Sequence, residues 1–177
     1  ENPNSILKSL AGVSVAFCLA LEIKKILEGQ NRSVASLYPL LQFVALGTIC
    51  DLAPMTPTNL KLARHGLKQM ADSCYSGFRS FFTPEERAAG KVLSEKCGFY
   101  IGPMINSKGR LEHPEKALEL LIAEDSDRAF LCYNQLDISN RERKMIQASV
   151  FELAREQIVR DLTDDDPVAS VAYSPDW

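Results

Sequence analysis

After a polar opening, "ENPNS", the segment Leu10 to Glu28 places apolar residues on most faces of a helix and ends at Gly29. That pattern predicts a core helix with a glycine stop. A second apolar run, Val34 to Cys50, carries Leu37, Leu40, Leu41, Val44 and Ala45 at helical spacing, and Gly47 loosens it just ahead of Asp51. "APMTPTN" turns the chain, and Asn59 to Met70 reads as an amphipathic helix with Lys61, Arg64 and Lys68 on a similar face. "TPEE", Thr83 to Glu86, fits a capping box with Pro84 in the first helical position, predicting a helix to about Lys96. The stretch "CGFYIGPMINSKGRLEHPEK" then breaks helical periodicity. It predicts a short extended run, Phe99 to Ile105, a polar glycine-containing loop, and a new helix from near Pro114. From Ser126 to about Arg160 the pattern is helical throughout, with an apolar stripe at Leu136, Met145, Ile146, Val150, Leu153 and Ile158; a helix of that length can bridge domains. "TDDDP" reads as a linker and Val168 to Tyr173 as a strand whose partners lie far back in the sequence or outside it, since a lone strand is not a stable element.

Composition narrows the class. The chain has 177 residues, 46% of them hydrophobic and 24% charged, as expected of an ordinary globular protein with a packed core. The longest early apolar run is about fourteen residues, short of the ~20 needed to cross a bilayer, and without the flanks of a signal peptide. Five widely spaced cysteines and two histidines make neither a disulfide framework nor a zinc site. Cys18, Cys50 and Cys132, set among apolar neighbours, are expected to pack as small hydrophobes, and a reducing cytoplasm fits. The net charge of −3 gives no global footprint for nucleic acid, so a polyanion would need a local basic patch or a bound metal.

Two places carry candidate chemistry. In "VALGTICDLAPMT" a single carboxylate, Asp51, interrupts an apolar run where an element gives way to a loop. A carboxylate there needs a cation, a metal or hydrogen-bond donors in place of water. It is either one ligand of a hard divalent cation or a cap accepting backbone N–H bonds, and the residues alone leave both open. The loop "INSKGRL" puts Asn106, Ser107, Lys108, Gly109 and Arg110 within five positions: donors, a flexible backbone and two cations, which is phosphate-binding chemistry or an ordinary polar turn. His65 and His113 stand alone by spacing.

"LAGVSVAFCLALEI", "FVALGTICDLAPMTPTNLKLARHGLKQM", "GFYIGPMINSKGRL" and "LDISNRERKMIQ" occur in the order and at about the spacing seen in RecJ, the single-stranded-DNA-specific exonuclease family of the DHH phosphoesterases. The resemblance spans nearly the whole chain. It implies an α/β fold, mostly helical in this fragment: residues 1–80 as the C-terminal part of the DHH catalytic domain, 81–162 as a helical connector with the phosphate-binding loop, and 163–177 as the truncated start of the DHH-associated domain. It implies that Asp51 is a ligand in a two-metal Mn²⁺ or Mg²⁺ site, and that Arg110, with Asn106 and Ser107, binds DNA phosphate. The implied activity is metal-dependent 5′-to-3′ hydrolysis of single-stranded DNA in repair and recombination, with a single-stranded-DNA-binding protein and a helicase as candidate partners. The chain departs from the family in lacking the Asp-x-Asp, further Asp and Asp-His-His motifs ahead of "NPN", and in having Met104 where relatives often have Arg. On this reading the chain is cut at both ends and inactive alone. The alternatives are a small-substrate DHH phosphodiesterase acting on short oligonucleotides or cyclic dinucleotides, and a catalytically dead nucleic-acid-binding scaffold.

Overall fold

The computed structural model describes residues 6–107, 115–161, 169–175 and 177. Helix α1, Gly12–Gly29, follows a single 3₁₀ turn, Ile6–Ser9. The run from Val34 splits into a 3₁₀ turn at Tyr38–Leu40, opened by Pro39, and α2, Leu41–Cys50. Helix α2 is apolar on every face, and a helix with no polar face belongs inside. It is accordingly the central element, with Leu41, Val44, Ala45, Leu46 and Ile49 all buried. Of its two polar side chains, Thr48 Oγ1 lies 3.2 Å from Ser14 Oγ of α1, and Gln42 Nε2 donates to the Pro39 carbonyl at 2.9 Å while Gln42 Oε1 is buried without a partner among the described residues.

Helix α3, Pro57–Met70, crosses α2 at very short range. A Cβ placed on Gly66 would stand 2.0 Å from the Leu41 carbonyl oxygen, so only glycine permits this approach. Short elements follow: α4, Ser76–Arg79; α5, Pro84–Ala89; and α6, Ser94–Lys96. The capping box at α5 is present, with the Thr83 side chain accepting from Glu86 N–H and Glu86 Oε2 accepting from Thr83 N–H at 2.8 Å. The helix does not run on to Lys96 as the periodicity predicts. Gly90 takes the left-handed conformation, φ 62°, and ends it.

The extended run expected at 99–105 is also absent. Cys97–Ile101 forms a π turn that continues into α7, Gly102–Ile105. Pro103 has no N–H for the Phe99 carbonyl and its ring crowds that carbonyl, which disfavours a regular α turn there. Helix α8, Glu115–Ile122, and the 36-residue α9, Ser126–Asp161, complete the order. The proposed strand at the C-terminal end is not formed: among the described residues there is no strand, and 169–175 is irregular. With no neighbouring strand to pair its backbone, this segment instead meets α9, where Tyr173 N–H donates to Gln157 Oε1 at 3.2 Å.

One cluster of buried residues links these pieces, from Ala45 and Met70 through Phe78, Phe81 and Ile101 to Leu120, Ala129 and Leu136, and so runs across residue 80. Phe43 holds Phe78 and Tyr75 edge-to-face at 5.1 and 5.4 Å. Of the predicted α9 stripe, Leu136 is in this core, whereas Met145, Ile146 and Leu153 are exposed; no described residue of α9 past Asn140 is buried. Among the cysteines, Cys97 and Cys132 are buried, Cys18 is half-buried, and Cys50, expected inside, is exposed because the last turn of α2 emerges from the core there. Burial pushes the Cys97 thiol up to about 12, so it packs as a hydrophobe. Among the described residues no helix is long and apolar enough to cross a membrane.

Candidate functional site

Asp51 is the residue at which α2 ends. The turn is a Schellman motif: Leu52 N–H bonds the Ile49 carbonyl at 3.2 Å and Ala53 N–H bonds the Thr48 carbonyl at 3.1 Å. Leu52 fills the left-handed position, φ 52°, that glycine usually takes, and is almost fully exposed. A non-glycine residue there costs about 1–2 kcal/mol, so the turn is held by its surroundings.

Those surroundings centre on Asn59, which is fully buried in the first turn of α3. Its Nδ2 donates to the Pro54 carbonyl at 2.8 Å and to the Ser9 carbonyl at 2.6 Å, fastening the loop after Asp51 both to itself and to the segment ahead of α1. Asn59 Oδ1 is buried without a partner, so the side chain works here only as a donor. The Thr56 hydroxyl accepts from Asn59 N–H at 3.4 Å and caps α3 with Pro57 behind it. The sequence pattern places the helix start at Asn59 and gives Asn59 no role. The signal for the true start is a Thr-Pro pair, the same pair that opens α5 at Thr83.

The Asp51 carboxylate is exposed, and among the described residues nothing donates to it or pairs with it. The capping alternative is therefore not realised. A helix C-terminus presents carbonyl oxygens, which a carboxylate cannot satisfy, and its dipole is negative there. An acid at this end makes an electronegative spot, which suits a hard cation. Among the described residues there is no group of three His, Cys, Asp or Glu side chains that could hold a metal, so Asp51 offers one oxygen arm and not a complete site.

The turn that leads into the second motif packs against the end of α2. Cys50, the neighbour of Asp51, points its thiol at the Cys97 carbonyl, 3.5 Å away, and a Cβ on Gly102 would stand 2.7 Å from Cys50 Sγ. The missing side chain at 102 thus lets α7 start against the end of α2. Helix α7 delivers Asn106 to the surface as its C-terminal cap residue, while Ser107 is buried with its hydroxyl donating to the Met104 carbonyl at 2.7 Å. Of these two, only Asn106 faces solvent. Arg110 lies outside the described residues, as do Lys108, Gly109 and His113. Met104, in the position where relatives often have Arg, is completely buried, so a core thioether stands there and not a surface cation. His65 is not isolated: its Nδ1 lies 3.3 Å from the Tyr38 hydroxyl, with the rings edge-on at 6.1 Å.

This arrangement of helices has solved counterparts. It superimposes on the crystal structure of an exonuclease RecJ bound to manganese with TM-score 0.74 and 27% identity, over 88% of this chain and 38% of that one. A Mg²⁺ complex of RecJ from Thermus thermophilus matches at TM-score 0.61 and 27% identity, over 72% of this chain and 20% of that one. The fold is that of a helical segment of RecJ. Among curated relatives, the single-stranded-DNA-specific exonuclease RecJ of Escherichia coli K12 is 32% identical over 179 residues, and that of Haemophilus influenzae Rd 35% over 178, each across 96% of this chain. The chain belongs to the RecJ family, and spans about a third of the length of these relatives. No protein-family model matches it.

Proposed function

We propose that this chain is the part of a single-stranded-DNA-specific 5′-to-3′ exonuclease that supplies one metal ligand and one phosphate-binding loop. The observation that carries the reading is Asp51: an exposed carboxylate on a clamped turn, without a partner among the described residues, in a fold whose solved relatives are bound to manganese or magnesium. Asp51 would hold a divalent cation together with ligands from outside the described residues. When bound, such an ion lowers the pKa of water and offsets charge on a scissile phosphate. Arg110 would grip a DNA phosphate, aided by the exposed Asn106, while Ser107, its hydroxyl spent on Met104, shapes the turn that leads to them. Residues 1–80 would complete a DHH catalytic domain, 81–162 form the connector, and 163–177 begin the associated domain. Five free cysteines fit a cytoplasmic protein, in which a single-stranded-DNA-binding protein and a helicase are the candidate partners.

The test is Asp51→Ala in the gene product that carries this chain, assayed for Mn²⁺-dependent release of nucleotides from 5′-phosphorylated single-stranded DNA. Degradation should be lost, by at least about 100-fold, the scale on which removal of a catalytic group acts. Turnover within a few-fold of the parent would sink the reading.

A further inference from the structure

Away from Asp51, α3 and the loop after Gly90 enclose an open groove of about 760 Å³. Lys61, Arg64 and Lys68 line one side and Lys91 the other, with no acidic residue in the lining. Elsewhere many cations are neutralised: Lys24 by Glu28, Lys96 by Glu86, Lys116 and Arg128 by Glu119, Arg141 by Asp137, Arg155 by Glu152. Among the described residues, none of the four groove cations has an ion pair or side-chain hydrogen bond, and all four are exposed. In a chain of net charge −3 this is a local concentration of uncompensated positive charge. Between the cations, Leu60, Leu67, Val92 and the His65 ring form the wall.

The spacing narrows the ligand. Lys61, Arg64 and Lys68 stand at i, i+3 and i+7, so on a rise of 1.5 Å per residue they form a row about 10 Å long on one face, the reach of a few nucleotides. Cations in a row beside flat apolar surface and a ring is the composition by which proteins hold single strands without reading sequence: phosphates meet the charges, base faces meet the wall. An acidic polypeptide would need the charges but has no use for the wall. Position adds to this, because Pro57 lines the groove and lies one residue past Thr56, where the clamped loop from Asp51 ends.

We propose that the groove between α3 and Lys91 is a second binding track for single-stranded nucleic acid, gripping phosphates through Lys61, Arg64, Lys68 and Lys91. The proposal rests on the nucleic-acid reading above and is independent of the metal. The test is fluorescence anisotropy of a labelled oligothymidylate with the full chain in EDTA, from about 50 to about 200 mM salt. The double charge reversal Lys61→Glu/Lys68→Glu should weaken binding at least about 10-fold and reduce the slope of log K against log salt by about 1.4, since each lost phosphate contact on a single strand removes about 0.7. His65→Ala should weaken binding with the slope unchanged. Because EDTA removes divalent cations, this binding does not depend on a metal at Asp51, so failure of the metal reading and failure of this one are told apart. If the double variant does not fold, as judged by far-UV circular dichroism, Lys91→Glu, in the loop, takes its place with half the change in slope. Unchanged affinity and slope would overturn the proposal. So would equal competition by polyglutamate, which would mark an acidic-protein surface, or by duplex DNA.

Discussion

Replacing Asn59 with alanine tests the idea that the Asp51 turn is held from α3. The substitution removes one donor group that serves two carbonyls, those of Ser9 at 2.6 Å and Pro54 at 2.8 Å, while the Pro54 carbonyl keeps the Thr56 N–H at 2.7 Å. A hydrogen bond contributes about 0.5–1.5 kcal/mol net, and since Asn59 Oδ1 has no partner to lose, the two lost bonds give about 1–3 kcal/mol. Asn59→Asp should be worse than alanine at neutral pH, because a carboxylate keeps the volume but turns an acceptor toward two carbonyls. Urea unfolding followed by far-UV circular dichroism reads both. In the gene product, Mn²⁺-dependent activity should fall in Asn59→Ala by more than the unfolded fraction accounts for, because the loop after Asp51 loses its tie. A stability change under about 0.5 kcal/mol, or an aspartate variant as stable as the parent, would refute the reasoning.

Further outcomes follow from the same geometry. Gly66→Ala places a methyl 2.0 Å from the Leu41 carbonyl, a backbone atom that cannot swing away, so α2 and α3 must separate; a loss of about 3 kcal/mol or more is expected in urea unfolding. The Glu86 carboxyl is held below its ordinary value of 4.5, first by the hydrogen bond from Lys96 and then by the backbone N–H of Thr83. A depressed acid stabilises the fold above its unfolded value and loses that contribution as pH falls through the lower, folded one. Glutamine keeps the capping bond to Thr83 N–H and loses only the solvent-screened pair with Lys96, so Glu86→Gln should cost no more than a few tenths of a kcal/mol at neutral pH, and thermal unfolding across pH should show the difference from the parent shrinking as pH drops below 4.5.

What the sequence made legible was what neighbouring residues decide. The stop of α1 at Gly29, the capping box at Thr83 and the length of α9 depend on residues within a few turns of one another, and all are found. The stretch 99–105 reads as extended only because its apolar run fits a strand as well as a helix; contact of Gly102 with Cys50 and the crowding at Pro103 settle it as helical, and the first of these is set 52 residues away. The helix expected to reach Lys96 stops at Ala89 because Gly90 adopts the left-handed conformation, a choice that its presence alone does not dictate. "VASVAY" has the composition of a strand but no partner among the described residues. At the site, Asp51 stood out as a lone carboxylate in an apolar run. Its exposure and the Schellman turn beneath it emerged only with the fold, and Asn59 stayed silent because its partner Ser9 lies 50 residues back.

The central claim is that Asp51 is an arm of a metal site, and its most direct test is a calorimetric titration of Mn²⁺ into the gene product that carries this chain, parent against Asp51→Asn. Because Asp51 is exposed and, among the described residues, unpaired, the substitution should leave metal-free thermal stability unchanged while weakening Mn²⁺ affinity by more than about 10-fold, at least the lower end of what loss of a supporting outer-shell group costs. Equal Mn²⁺ affinity and stoichiometry in the two proteins would contradict the account.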